Sequence, residues 1–294
     1  MVCAGQVGLT ERMTSHADER NLTLVLGSSG TTGRRVAQRL ADRGVPTRLG
    51  SRSGQPAFDW ADEGTWPAVL ENVGAAYLVY YPDLVAPGAV DAVRRFAAAA
   101  VAAGVRRLVL LSGRGEEAAR HAEQVVMDAG ADWTIVRCAF FAQNFSEKGF
   151  EDFVRGGTVA LPAPEVGEPF VDADDIADVV VATLTEDGHA GQLYELTGPR
   201  LLTFAESIAE IAKATGRHLD YRRISAEEFI GGLVELGIPR EEAEVFAEIF
   251  GTVLDGRNAH LTDGVQRALG RPPRDFADYA STAAATGVWT PDHP

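Results

Sequence analysis

The chain has 294 residues, room for a nucleotide-binding domain and a smaller partner at about 100–200 residues per domain. Its 46% apolar and 23% charged residues exclude a mainly disordered or fibrous protein. With 27 Lys and Arg against 42 Asp and Glu, the net charge of −15 opposes a groove that follows nucleic-acid phosphates, and Cys3 and Cys138 are too few for a disulfide framework or a cysteine-based zinc site.

Residues 1–20 read as a flexible leader without the apolar stretch of a secretory signal, and Met13 is a second candidate start. No later run reaches the roughly 18 apolar residues that suggest a membrane span. A cytoplasmic protein with a small-molecule substrate and neither a nucleic-acid nor a membrane partner is expected, as a monomer or homodimer.

From Leu22 onward, short apolar runs alternate with longer segments of helical period, the pattern of parallel strands joined by crossover helices. Strands are predicted at Leu22–Leu26, Val45–Leu49, Ala75–Tyr80, Val105–Leu111 and Trp133–Arg137, with a further short one beside Asp59 and Trp60. The fold class is α/β, a Rossmann-type doubly wound parallel sheet with its ligand crevice at the carboxyl ends of the strands.

Directly after the first strand, Gly27, Ser28, Ser29, Gly30, Thr31, Thr32 and Gly33 open a helix. Three glycines permit a tight turn, close backbone approach to a diphosphate and close helix–strand packing, while the helix supplies free N–H groups. The spacing is Gly-x-x-Gly-x-x-Gly, and the competing reading is an ordinary strand-to-helix turn. After the second strand stand Ser51, Arg52 and Ser53, where an NAD site offers a carboxylate to the ribose; Arg52 suits a 2′-phosphate, so NADPH/NADP+ is the predicted cofactor. Asp59 and Trp60 are candidates for the adenine end, with a plain turn aspartate as the alternative.

The usual acid–base pair of carbonyl reductases, a Tyr with a Lys four residues on, does not occur: the residues four before the only lysines, Lys148 and Lys213, are Asn144 and Ala209. The six histidines lack a metal-binding i, i+4 pair, so no metal is called, and Asp172, Asp174, Asp175 and Asp178 read as a solvated helix start. At the strand ends remain Tyr80, Tyr81 and Pro82, then Ser112 and Arg114, then Phe140, Phe141 and Phe145. Tyr80, Tyr81, Pro82 and Ser112 are assigned to the cofactor, Arg114 and the phenylalanines to substrate, and Ser112, His121 and Tyr81 are the candidate catalytic groups. Packing for the aromatics, a simple turn for Ser112 and an exposed helical position for His121 are the competing readings.

Past about residue 140 the alternation weakens, and Gly156 and Gly157 with Pro162, Pro164 and Pro169 mark a second, loop-rich layer. Thr203 with Glu206 and Ser225 with Glu228 match the capping-box spacing and predict two helix starts. Residues 240–254 predict a third helix, on the main domain or over the crevice.

The chain resembles the NmrA-like, atypical short-chain dehydrogenase/reductase family over about residues 21–280, nearest the ergot-alkaloid reductase branch of festuclavine and agroclavine dehydrogenases. The likeness rests on the glycine loop, Arg52 with Ser53, Phe58-Asp59-Trp60, Arg106 to Ser112, Asn144-Phe145-Ser146-Glu147, Pro169-Phe170-Val171 and Gly270-Arg271-Pro272-Pro273. It implies an NADP-binding domain at 21–155 and a smaller, mostly helical C-terminal substrate domain at 156–294, with segments near 169–200 returning to the first. In that branch it also implies hydride delivery to an imine or iminium carbon. Where relatives that reduce aromatic alkenes carry a Lys, this chain has Ala119, and 162–168 departs from the branch's glycine-rich, basic version. An iminium carbon accepts hydride without a general acid, which suits the missing Tyr–Lys pair. A quinone, ketone or enone reductase, a non-catalytic NADP(H) sensor, and a cyclase or scaffold using the cofactor structurally are the alternatives.

Overall fold

The computed structural model describes residues 21–147, 149–252 and 254–291; the leader, the Met13 start and Cys3 lie outside the described residues. Five strands, β1 (Leu22–Leu26), β2 (Thr47–Gly50), β3 (Val73–Leu78), β4 (Arg107–Gly113) and β5 (Asp132–Cys138), fall within two residues of the predicted runs. The crossovers carry α1 (Thr31–Asp42), α2 (Trp66–Leu70), α3 (Ala89–Ala102) and α4 (Glu117–Met127). Beyond them follow α5 (Glu151–Gly156), β6 (Thr158–Leu161), α6 (Ala173–Thr185), β7 (Gln192–Leu196), α7 (Phe204–Thr215), β8 (Asp220–Arg223), α8 (Ala226–Glu235), α9 (Arg240–Thr252), α10 (Gly264–Leu269) and α11 (Phe276–Ala285).

The main sheet has the order β2-β1-β3-β4-β5-β7, with every pair parallel. Both faces are covered, as a parallel sheet requires. Leu24, Leu78, Leu108 and Ile135 pack with Phe96 of α3 on one side, while Val25, Tyr77, Val109 and Val136 meet Val36 of α1 and Val180 of α6 on the other. The chain runs from β1 outward to β2 and then crosses back to β3, so the sheet divides at the carboxyl ends of β1 and β3. That division opens the crevice.

The remaining elements surround an aromatic core of Phe145, Phe170, Phe204, Phe250, Phe276 and Trp289, with β6 and β8 as a small parallel pair. Both capping boxes form, Thr203 with Glu206 at α7 and Ser225 with Glu228 at α8. The helix expected at 240–254 is α9; its Phe250 packs on Phe150, Phe204 and Phe229, so it serves the aromatic core and not the main sheet.

Two local expectations are corrected. The segment at Asp59 and Trp60 is no sheet strand: Asp59 Oδ1 accepts the Ala61 N–H at 2.9 Å, Asp62 caps a short 3-10 turn, and the Trp66 indole donates to the Asp59 carbonyl. Side-chain acceptors here satisfy backbone donors that a strand would send to a neighbour. The aspartates at the start of α6 are not a solvated cluster. Asp172 caps the helix, Asp174 and Asp178 pair with Arg39 of α1, and the fully buried Asp175 pairs with Arg271 and Arg274. Arginines from both neighbouring segments neutralise them, which ties α1 and the C-terminal segment to α6.

Candidate functional site

The β1–α1 loop is built around its glycines. Gly27 has φ +63°, a left-handed conformation, and its Cα faces Val79 at the end of β3. A Cβ on Gly33 would stand 2.1 Å from the Gly27 carbonyl oxygen, so helix and strand approach as only glycine permits. Gly30 caps α1 without a side-chain hydrogen bond, which leaves the first N–H groups of the helix unused by any cap. Thr32 is buried, and its hydroxyl accepts a 3.0 Å hydrogen bond from Tyr77, which anchors the loop from beneath. A diphosphate fits this cradle by its open N–H groups and by the partial positive charge of the helix end.

Ser51, Arg52 and Ser53 follow β2 on the same side of the sheet, with Arg52 exposed. Among the described residues no carboxylate pairs with Arg52. Trp60 is clamped by its indole N–H on the Val79 carbonyl at 3.0 Å and by the Tyr80 ring at 5.0 Å. One oxygen of Asp59 is committed to its own turn.

A cavity of about 320 Å³ lies at the ends of β3, β4 and β5, the lower end of the range for small-molecule sites. Tyr80, Pro82, Ser112, Arg114, Phe140 and Phe141 line it. Three residues expected there do not. The Tyr81 side chain is 71% exposed, His121 lies exposed on α4, and Phe145 is fully buried among Phe150, Phe170, Phe204 and Phe276. Phe145 faces inward because its short 3-10 turn packs against the C-terminal helices, where its carbonyl accepts the Trp289 indole N–H.

Behind the cavity runs a chain of charges, buried at Glu123 and Arg114 and half-buried at Arg137 and Glu195. Ser112 Oγ donates to Glu123 Oε1 at 2.6 Å, Glu123 takes a two-pronged pair from Arg137, and Arg137 reaches Glu195 at 3.1 Å. Glu195 also binds Arg114 at 2.6 Å, and Arg114 donates further to the Asn258 carbonyl and meets His260. The guanidinium of Arg114, expected to meet substrate, is thus held by protein partners. The Ser112 hydroxyl donates its hydrogen bond to an arginine-bound carboxylate, so toward the cavity it offers only lone pairs.

The lining also carries Asn144 and three carboxylates, Asp83, Glu116 and Glu168. Burial, with the neighbouring charge of Asp83, pushes the Glu116 carboxyl up to about 7. Burial also pushes Glu168 up to about 7, against the opposing pull of the Phe140 N–H and Arg114. Asp83 is raised by burial despite two backbone N–H groups, and burial raises the Cys138 thiol. None of these three carboxylates was predicted as a site residue. Glu168 carried one faint signal, a lone acid before the apolar run Pro169-Phe170-Val171.

Residues 19–270 match the NmrA-like family. Agroclavine dehydrogenase of Claviceps fusiformis is 33% identical over 281 residues, covering 88% of this chain and 96% of that protein. The NAD(P)H azoreductase of Xenophilus azovorans is 30% identical, covering 90% and 98%. The Citrobacter triphenylmethane reductase solved with NADP(H) superposes with a TM-score of 0.72 at 20% identity, covering 90% of this chain and 99% of that one.

Proposed function

This chain belongs to the NmrA-like family, and on that premise we propose that it is an NADPH-dependent reductase whose acceptor is an imine, an iminium or a similarly activated carbon of a small molecule. The observation that carries the reading is the glycine cradle at the uncapped end of α1, which opens at the same sheet division as a ring-sized cavity. The names of the relatives, a dehydrogenase of a clavine alkaloid and an NAD(P)H azoreductase, support a reductase of nitrogen-containing acceptors.

When bound, the dihydronicotinamide supplies hydride. The rest of the work belongs to the chain. The N–H groups that open α1 hold the diphosphate, and Ser51, Arg52 and Ser53 hold the 2′-phosphate by charge-assisted hydrogen bonds. Trp60 and Tyr80 form an aromatic wall next to the loop, and Asp59 stands at its edge. Ser112 accepts a hydrogen bond from cofactor or substrate, its own proton being committed to Glu123. Phe140 and Phe141 exclude water from one side of the cavity. Asp83 gives it a negative potential, to which Glu116 and Glu168 add whenever they are ionised, and this stabilises positive charge at an electron-poor carbon before attack.

Calorimetry with NADPH and NADP+, followed by stopped-flow loss of NADPH absorbance with a cyclic iminium, a quinone and an enone, tests the proposal. Uptake of the cofactor and fastest turnover of the iminium are expected. No uptake of either form of the cofactor would refute it, and preference for the quinone or enone would move the acceptor to a neutral carbonyl class.

A further inference from the structure

The proposed acceptor raises a question of protonation: a cyclic imine in water is a neutral base, whereas the species that takes hydride readily is its protonated iminium. Ser112 does not supply that proton, because its hydroxyl hydrogen is engaged in the hydrogen bond to Glu123. His121 is outside the cavity and Tyr81 is turned to solvent. Glu168 is different in kind from every other acid in the crevice. It is 1% exposed, and its backbone is pinned by two hydrogen bonds to Leu202, one at 2.8 Å and one at 3.0 Å. Its Oε1 accepts the Phe140 N–H at 3.1 Å, while Oε2 has no hydrogen-bond partner among the described residues. No buried side-chain oxygen among the described residues is left without a partner, so Oε2 is an atom that reaches open space, and the space Glu168 lines is the cavity.

We propose that Glu168, through Oε2, protonates a neutral nitrogen base as it enters the crevice, so that the iminium is made in place. This rests on the reductase reading above for its purpose, though not for its chemistry. The acid proton sits on Oε2 because Oε1 is occupied as an acceptor; it passes to the lone pair of the C=N nitrogen, the O–H bond breaks as the N–H bond forms, and a carboxylate is left beside the new cation. No electrons change hands in this step. After hydride adds, the proton stays as the N–H of the neutral product amine, and the carboxylate takes a proton from bulk solvent to restore the acid. A carboxyl held near neutrality by burial is matched to this task, since it is partly protonated when the protein works.

The groups facing Glu168 around the cavity are Arg114, Asp83, Glu116, Tyr80 and Cys138. Arg114 is neutralised by Glu195, which limits how far it can hold Glu168 ionised. Asp83 and Glu116 add like charge and favour both a protonated neighbour and a cationic guest.

The test uses 6-methoxyquinoline, a neutral aromatic nitrogen base whose protonated form absorbs to the red of the free base, bound to the full-length protein without cofactor. At a pH above that at which the base is protonated in water, the wild-type complex is expected to show the cation band. Glu168→Gln, which keeps an acceptor for the Phe140 N–H, is expected to lower that band at least about tenfold at equal occupancy, whereas Glu116→Gln keeps most of it. The wild-type arm needs no variant: failure to bind the base, or a bound base with only its neutral spectrum, overturns the proposal. So does a cation band that survives Glu168→Gln or is lost only in Glu116→Gln. Calorimetry of NADPH on the same samples reads the reductase proposal separately, because a protein that protonates the base and ignores NADPH would refute that proposal alone.

Discussion

Replacing Gly33 by Ala adds one methyl group at the third residue of α1. Helix propensity alone favours alanine by about 1 kcal/mol. The new Cβ would, however, lie 2.1 Å from the Gly27 oxygen and 2.7 Å from its carbon, where ordinary contact begins at 3.4 Å. Helix and loop must therefore separate by about 1 Å, and overpacking of that kind costs about 1–3 kcal/mol. Clash exceeds propensity, so the variant is expected to be destabilised modestly. The larger effect falls on the cofactor: moving N–H donors by about 1 Å takes them out of the 2.7–3.2 Å range of hydrogen bonding. Loss of one or two charge-assisted bonds at about 1.5–3 kcal/mol each weakens NADPH binding by about 10-fold or more. Gly30→Ala, with a Cβ 3.2 Å from the same oxygen, provides the mild member of the pair. Titration calorimetry with NADPH, alongside thermal unfolding to confirm that both variants fold, gives the comparison. If folded Gly33→Ala binds NADPH within about threefold of wild type, the glycine loop does not seat the diphosphate.

Arg52→Ala is expected to weaken NADPH by about 10- to 100-fold, the worth of one or two charged hydrogen bonds, and NADH by less than about threefold; equal losses in the same titration would refute the 2′-phosphate assignment. Glu123→Gln removes the charge that faces Arg137 and one of the two acceptor oxygens, leaving the longer contact to Glu195 as the only ion pair Arg137 keeps among the described residues. A loss of about 3 kcal/mol in urea unfolding is expected, and a loss below about 1 kcal/mol would show that Glu195 suffices. Glu116 and Glu168 bind protons more tightly folded than unfolded, so stability should fall as pH rises from about 4.5 to about 7 and then level off. Urea midpoints across that window, with Glu168→Gln showing a shallower decline, check this. The paired carboxylates Glu147, Asp178 and Glu195, whose values are lowered by their arginines, act in the opposite sense: their contribution is present above the usual carboxylate range and is lost as pH falls through their lowered values.

What could be read from the sequence is what local chemistry decides. The five strands are continuous apolar runs because both faces of a parallel sheet are buried, and the two capping boxes form because hydroxyl and carboxylate stand three residues apart whatever surrounds them. The glycine loop is legible for the same reason. The expectations that were corrected depended on partners far along the chain. Asp175 reads as a solvated acid until Arg274, 99 residues later, is folded against it. Phe145 reads as a residue at a strand end until Trp289 covers it. Asp59 is the local exception: the decisive competitor to a strand there was a side-chain acceptor two residues from its donor.

The crevice shows how the same limit falls on chemistry. Ser112 stands at the end of β4, and Tyr80, Pro82, Arg114, Phe140 and Phe141 stand in the segments that follow sheet strands, so topology alone carries them to one cavity. Glu168 follows no strand. It arrives from a proline-rich segment, and only its backbone pairing with Leu202 sets it against the end of β5. Conversely, the role open to Ser112 is narrowed by Glu123, eleven residues on, which is itself held in place by Arg137 on the neighbouring strand. A hydroxyl at a strand end could have been either donor or acceptor. The chain of charges from Glu123 through Arg137 and Glu195 to Arg114 leaves it an acceptor, occupies the nearest cation, and so leaves Glu116 and Glu168 as the cavity carboxyls near neutrality with a proton to give.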